Sequence, residues 1–171
     1  MKVIEKLDNF LMKVEEIILS YAIIVIALMV IGNVINRSVF GSSWSFAEEI
    51  SRFSVILATF MGIGYAARKG RHINMSAFFD LAPYPIKKAL SIFIPFVTSI
   101  VLFALTYYSY IYLMSVHASG RVTPALQLPV WVMMLFVPVG LFLGGVQFLR
   151  NMWVNIKNKE VYLASEKKDY S

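Results

Sequence analysis

Four stretches of the chain carry no Asp, Glu, Lys or Arg: residues 17–36, 53–67, 89–116 and 122–149. A helix needs about 20 apolar residues to cross a hydrocarbon layer of about 30 Å. The four runs predict membrane-spanning helices at about 17–36, 45–67, 89–116 and 128–149. The second run is short, but its helix begins earlier, because Ser45-Phe46-Ala47-Glu48 fits a capping box with Glu48 reaching back to the cap. From residue 45 to 67 that helix is about 34 Å long. The third run exceeds a perpendicular crossing, so its helix tilts or protrudes. Tyr107, Tyr108, Tyr110 and Tyr112 crowd its far end, as in an interfacial aromatic belt.

Residues 1–16 read differently. Ile4, Leu7, Leu11 and Val14 recur at spacings of three and four, while Lys2, Glu5, Lys6, Asp8 and Lys13 take the other faces. That period predicts an amphipathic helix lying in the membrane interface, the alternative being a plain cytoplasmic tail. The links are short: Asn33, Asn36 and Arg37 mark the end of the first span, and Gly41 lies in the turn that follows. Pro83 and Pro85 are expected to break helix in the 68–88 hairpin, and Gly120, Arg121 and Pro124 lead into the fourth span. Pro129 and Trp131 sit at the start of that span, and Pro138 is expected to kink it near its middle.

The basic residues orient these helices. Of 16 Lys and Arg, 13 lie in the N-terminal segment, the 68–88 hairpin and the 150–171 tail, leaving Arg37, Arg52 and Arg121 for the other side. By the positive-inside rule both termini and the hairpin are cytoplasmic. The fold class is therefore an all-α integral membrane protein: four transmembrane helices at 17–149, an interfacial helix at 1–16 and a basic cytoplasmic tail at 150–171. With 58% hydrophobic and 15% charged residues, a soluble or disordered chain is ruled out. The net charge of +6 fits lysines facing anionic lipid and implies no nucleic acid. The absence of cysteine excludes disulfides, thiol catalysis and Cys-ligated metal. No cleavable signal is expected, because the first apolar run is too long and follows Glu15 and Glu16.

Catalytic motifs are missing: no phosphate loop, no GxSxG and no HExxH. Gly62-Ile63-Gly64 is an isolated GxG in a membrane helix. His72 and His117 fall in or near loops, whereas a haem subunit needs paired histidines inside its spans. No enzyme, cofactor or metal is expected. The group Glu48, Glu49 and Arg52 stands out, since Glu48 and Arg52 are spaced for a helical ion pair with the acid first. At 100° per residue Glu48, Arg52, Val55, Thr59, Gly62 and Ala66 form one stripe, with Ala58 at its edge. Small residues at intervals of four let another helix approach closely. Gly140 and Gly144 repeat that theme, followed by Gln147. These faces hold either the four helices together or a partner protein, and the second reading is favoured. A small self-sufficient four-helix transporter or exporter is the alternative. It would want an acidic residue near mid-membrane, which no span carries.

The run Trp44-Ser45-Phe46-Ala47-Glu48-Glu49-Ile50-Ser51-Arg52, continuing through Phe60-Met61-Gly62 to Arg68-Lys69-Gly70-Arg71-His72-Ile73, resembles the small membrane subunit of tripartite ATP-independent periplasmic (TRAP) transporters. Gly120, Pro124-Ala125-Leu126-Gln127-Leu128-Pro129-Val130-Trp131 and Pro138-Val139-Gly140 are similar to that family's second block. The likeness spans about residues 10–155, and the end at Ser171 matches the separate small subunit rather than a fusion with the large one. It implies a scaffold in the bacterial inner membrane. That scaffold supports a large membrane subunit and the docking of a periplasmic substrate-binding protein, for sodium-coupled import of an organic anion. Within the family the chain is most similar to the sialic-acid (N-acetylneuraminate) type, a C4-dicarboxylate being the alternative cargo. Carried over by position, Trp44, Glu48, Glu49 and Arg52 anchor the outer start of span two and contact the large subunit. Arg37 and Arg121 are docking candidates for the binding protein. Arg68, Arg71 and His72 match the end of the first block, with lipid headgroups as their expected contact.

Overall fold

The computed structural model describes residues 2–69 and 83–158, with side chains at 10–68 and 83–158. Its helices are α1 (Lys2–Phe40), α2 (Ser45–Lys69), α3 (Tyr84–Ala118), α4 (Val130–Met134) and α5 (Phe136–Lys157). Four stretches are long and apolar enough to cross a membrane: Phe10–Phe40, Ser45–Arg68, Tyr84–Ala118 and Val130–Lys157.

The helices overrun the charge-free segments, because caps and breakers end a helix and charges do not. α1 has neither Pro nor Gly before Gly32 and runs without interruption through residue 16. The interfacial helix expected at 1–16 is thus continuous with the first span. α1 stops where Gly41 takes φ +70° and donates its N–H to the Arg37 carbonyl at 3.1 Å, the left-handed cap that glycine tolerates best. Pro83 and Pro85 start α3 instead of interrupting one. Pro83 is the N-cap and Pro85 falls in the first turn, where a backbone N–H has no helical partner to lose. Pro138 acts one turn before itself. Lacking an N–H, it leaves the Met134 carbonyl without its helical donor, and the span divides at Leu135 into α4 and α5. The expected mid-span kink therefore lies near the start of that span. The part of the expected tail up to Lys157 belongs to α5.

The packing order is a row. α1 packs on α2, α2 on α5, and α5 on α3. Leu19 meets Gly62, so α1 and α2 are antiparallel. Phe60 meets Gly140 and Ile63 meets Gly144, so α2 and α5 run parallel. Phe103 meets Gly145, with α3 antiparallel to α5. The close approaches occur where side chains are smallest. A Cβ on Gly140 would overlap the Phe60 carbonyl oxygen, and one on Gly144 would lie 2.5 Å from Ile63 Cγ2. Between apolar helices in lipid there is no hydrophobic driving force, so such backbone-close contacts do much of the joining. The edge helices α1 and α3 bury few residues and the inner pair more.

Candidate subunit interface

At one end of the row, the α1–α2 turn is closed by polar side chains. Trp44 donates its backbone N–H to Asn33 Oδ1 at 2.7 Å, and Asn36 Nδ2 donates to the Ser42 carbonyl at 2.6 Å. The Trp44 ring lies against Gly32, whose missing side chain makes room for it, and stacks on Phe46. Trp44 thus clamps the start of α2 to α1 within the chain itself, and stays 40% exposed.

At the same end, Glu49 ties α2 to the loop between α3 and α4. Ala125 and Leu126 donate their backbone N–H groups to Glu49 Oε1 and Oε2 at 2.7 and 2.9 Å, and the Thr123 hydroxyl faces the same carboxylate. Charge-assisted bonds of this kind are roughly twice as strong as neutral ones. The loop is also knit internally. Val122 and Pro129 form an isolated antiparallel bridge. Thr123 N–H donates to the Leu128 carbonyl at 2.8 Å and Val130 N–H to the Arg121 carbonyl at 3.0 Å. Gln127 holds the left-handed conformation (φ 56°), its side-chain amide donating to the Pro124 carbonyl. His117 and Trp131 meet edge to face across the two ends of the loop.

The opposite end holds a buried charge pair. Arg68 Nη2 lies 3.6 Å from Glu15 Oε2, and the two residues are 0% and 2% exposed. A Cβ on Gly64 would come within 2.8 Å of Glu15 Oε1, so the glycine one turn before Arg68 opens the space for the carboxylate. On the other side of α2, Asn151 donates Nδ2 to the Ala67 carbonyl at 3.1 Å, and Asn155 donates to the Asn151 carbonyl at 3.0 Å. Gln147, Asn151 and Asn155 make a buried polar ladder at intervals of four on α5. Glu15, Arg68, Ala67 and Asn151 thus join α1, α2 and α5 at one level.

Several expected roles change. Arg68, expected at lipid headgroups, is buried between helices and paired with Glu15. Arg71 and His72 lie outside the described residues. Among the described residues Glu48 and Arg52 form no ion pair, and Arg52 acts electrostatically on Glu49, one turn before it. The capping bond expected from Glu48 is likewise absent among the described residues. Glu49, expected against a large subunit, is committed to the loop. Gly140 and Gly144 are consumed by α2–α5 packing, not offered outward. Glu48, Arg52 and Thr59 are exposed, while Gly62 and Ala66 are half-buried, Gly62 against Leu19. The stripe is therefore open in its first half, near the start of α2, and serves α1 further along. Arg37 and Arg121 are exposed. The pairing of Glu15 was missed, although a carboxylate at the edge of an apolar run with a glycine-flanked Arg elsewhere is a usable signal. Asn151 and Asn155 fell beyond the predicted span.

Residues 26–158 match the family described as tripartite ATP-independent periplasmic transporters, DctQ component. The chain is 40% identical over 159 residues to the ectoine TRAP transporter small permease protein TeaB of Halomonas elongata, covering 93% of this chain and 82% of that protein.

Proposed function

Because this chain belongs to the DctQ component family of TRAP transporters, we propose that it is the scaffold of its complex, bracing a large membrane subunit that carries the cargo and helping a periplasmic binding protein to dock. The single row of helices carries this reading. Backbone at membrane depth is satisfied only inside helices or where protein lines a cavity, and a row of four encloses no lumen through which cargo could pass. What it offers is broad apolar flanks. On one of them Glu48 and Arg52 are exposed in the first two turns of α2, with Thr59 further in. A charge facing lipid costs about 2.5–3.5 kcal/mol on insertion scales, so this flank is better covered by polypeptide. The basic residues support both termini and the 68–88 hairpin lying in the cytoplasm.

The cargo is read from the relative, which is named for ectoine. Ectoine is favoured here over the N-acetylneuraminate suggested by the sequence resemblance and over a C4-dicarboxylate. Sodium coupling belongs to the same proposal. The self-sufficient exporter is less well supported, since the two acidic residues of the first span, Glu15 and Glu16, lie near its start and Glu15 is held by Arg68. Reconstitution tests the scaffold reading. Liposomes holding this chain alone should take up neither labelled ectoine nor N-acetylneuraminate under a sodium gradient. Adding the large subunit and the binding protein should restore uptake of one of them. Uptake by the isolated chain would sink the scaffold.

A further inference from the structure

We infer that the loop between α3 and α4, residues 119–129, is a preformed docking knuckle for the periplasmic binding protein, with Glu49 as its positioning residue. This rests on the scaffold reading and deepens it by assigning the surface and the side chain that shapes it.

The position of the loop comes from α3. Lys88 and Tyr107 are separated by about 28 Å along the helix at 1.5 Å per residue, close to the thickness of the hydrocarbon core. From Tyr112 to Ala118 the helix continues about 9 Å further, so the loop stands clear of lipid on the side away from Lys88. Apolar side chains there have no hydrocarbon to enter, yet Val122 is 48%, Leu126 37% and Leu128 48% exposed. A cluster of exposed aliphatic groups on a water-facing loop is the mark of a protein contact.

The loop is held although most of its residues are exposed. Its backbone is closed by the Val122–Pro129 bridge, and its tip is fastened by two N–H bonds to a carboxylate 76 and 77 residues earlier in the chain. A contact made and broken once per transport cycle gains from a loop whose ordering cost is met before binding. Charge narrows the occupant. Arg121 flanks the exposed aliphatic residues, and Arg37 and Arg52 are exposed at the same end against one exposed carboxylate, Glu48, since Glu49 is occupied by the loop backbone. The matching surface is apolar with an acidic rim, on a partner soluble in the outer compartment. Glu49 acts through the loop and touches no cargo.

The test uses the whole complex in liposomes, with purified binding protein titrated from outside. Glu49→Ala should raise the half-saturating concentration of binding protein roughly tenfold, leave the maximal rate and the yield of complex close to those of the parent, and speed amide exchange at Ala125 and Leu126. Glu49→Gln should fall between, since it keeps one acceptor oxygen. A photo-crosslinker placed at Leu128 should capture the binding protein. Capture of the large subunit or of lipid, an unchanged half-saturating concentration in Glu49→Ala, or loss of the complex itself would overturn the assignment. None of these results would by itself return the isolated chain to being a transporter, so the scaffold reading stands or falls separately.

Discussion

Removing one member of the Glu15–Arg68 pair is the sharpest perturbation that this architecture allows. The Arg68 guanidinium is fully buried, and Glu15, 2% exposed, lies 3.6 Å from it. Glu15→Gln deletes a buried charge facing Arg68 and keeps the shape, weakening the compensation of a cation inside the packed helices. Breaking a buried pair in this way costs about 3–5 kcal/mol, whereas replacing both members by apolar groups of similar volume is often neutral. For a chain of this size about 1 kcal/mol corresponds to roughly 2–4 °C in melting temperature, so Glu15→Gln should lower it by on the order of 10 °C. The double variant Glu15→Leu/Arg68→Met should recover most of that loss, giving a large coupling energy in a double-mutant cycle. The damage should concentrate on α1, an edge helix joined to the row through α2. Melting in nanodiscs, with protease sensitivity of α1 as a second readout, measures both effects. A single variant within about 0.5 kcal/mol of the parent, the ordinary scatter of surface substitutions, would refute the claim that this pair joins α1 to α2.

Gly140→Ala should destabilise the fold by more than the roughly 1–3 kcal/mol typical of overpacking, because its Cβ would strike the Phe60 carbonyl, which cannot rotate away. Gly145→Ala, whose Cβ meets the Phe103 ring at 3.0 Å, should be milder, and unfolding titrations in mixed micelles would rank the two. Arg52→Ala should lower the yield of complex with the large subunit in mild detergent and leave apparent cargo affinity unchanged; the reverse pattern would count against a partner on that flank. The natural absence of cysteine makes paired cysteines a clean test of the row. Phe103→Cys with Gly145→Cys should cross-link within one chain, while Ile24→Cys with Leu105→Cys should not, since α2 and α5 lie between.

The number of spans and their approximate limits were legible in the sequence because the bilayer imposes a one-dimensional rule: no charges over about 20 residues. The limits moved where local chemistry overrode that rule. α1 continued because nothing in residues 2–31 breaks a helix, and the fourth span divided because Pro138 removes a donor. Glu48, Glu49 and Arg52 stood out as a group from charge at a membrane edge, whereas Trp44 drew notice only through the family resemblance.

Which of those charges does what could not be read from spacing. Glu48 and Glu49 are adjacent and chemically identical, and the helix turns them about 100° apart. Only the position of a loop more than 70 residues away selects Glu49 for its backbone and leaves Glu48 exposed. For the same reason the two small-residue motifs looked alike in the sequence. The tertiary arrangement spends Gly140 and Gly144 inside the row and leaves the first part of the α2 stripe uncovered. Composition thus determined that the chain lies in a membrane and how often it crosses. The order α1–α2–α5–α3, and with it the division between faces that close on each other and faces that stay exposed, was decided in three dimensions. In lipid one apolar flank is worth as much as another until a close glycine contact or a buried charge chooses between them.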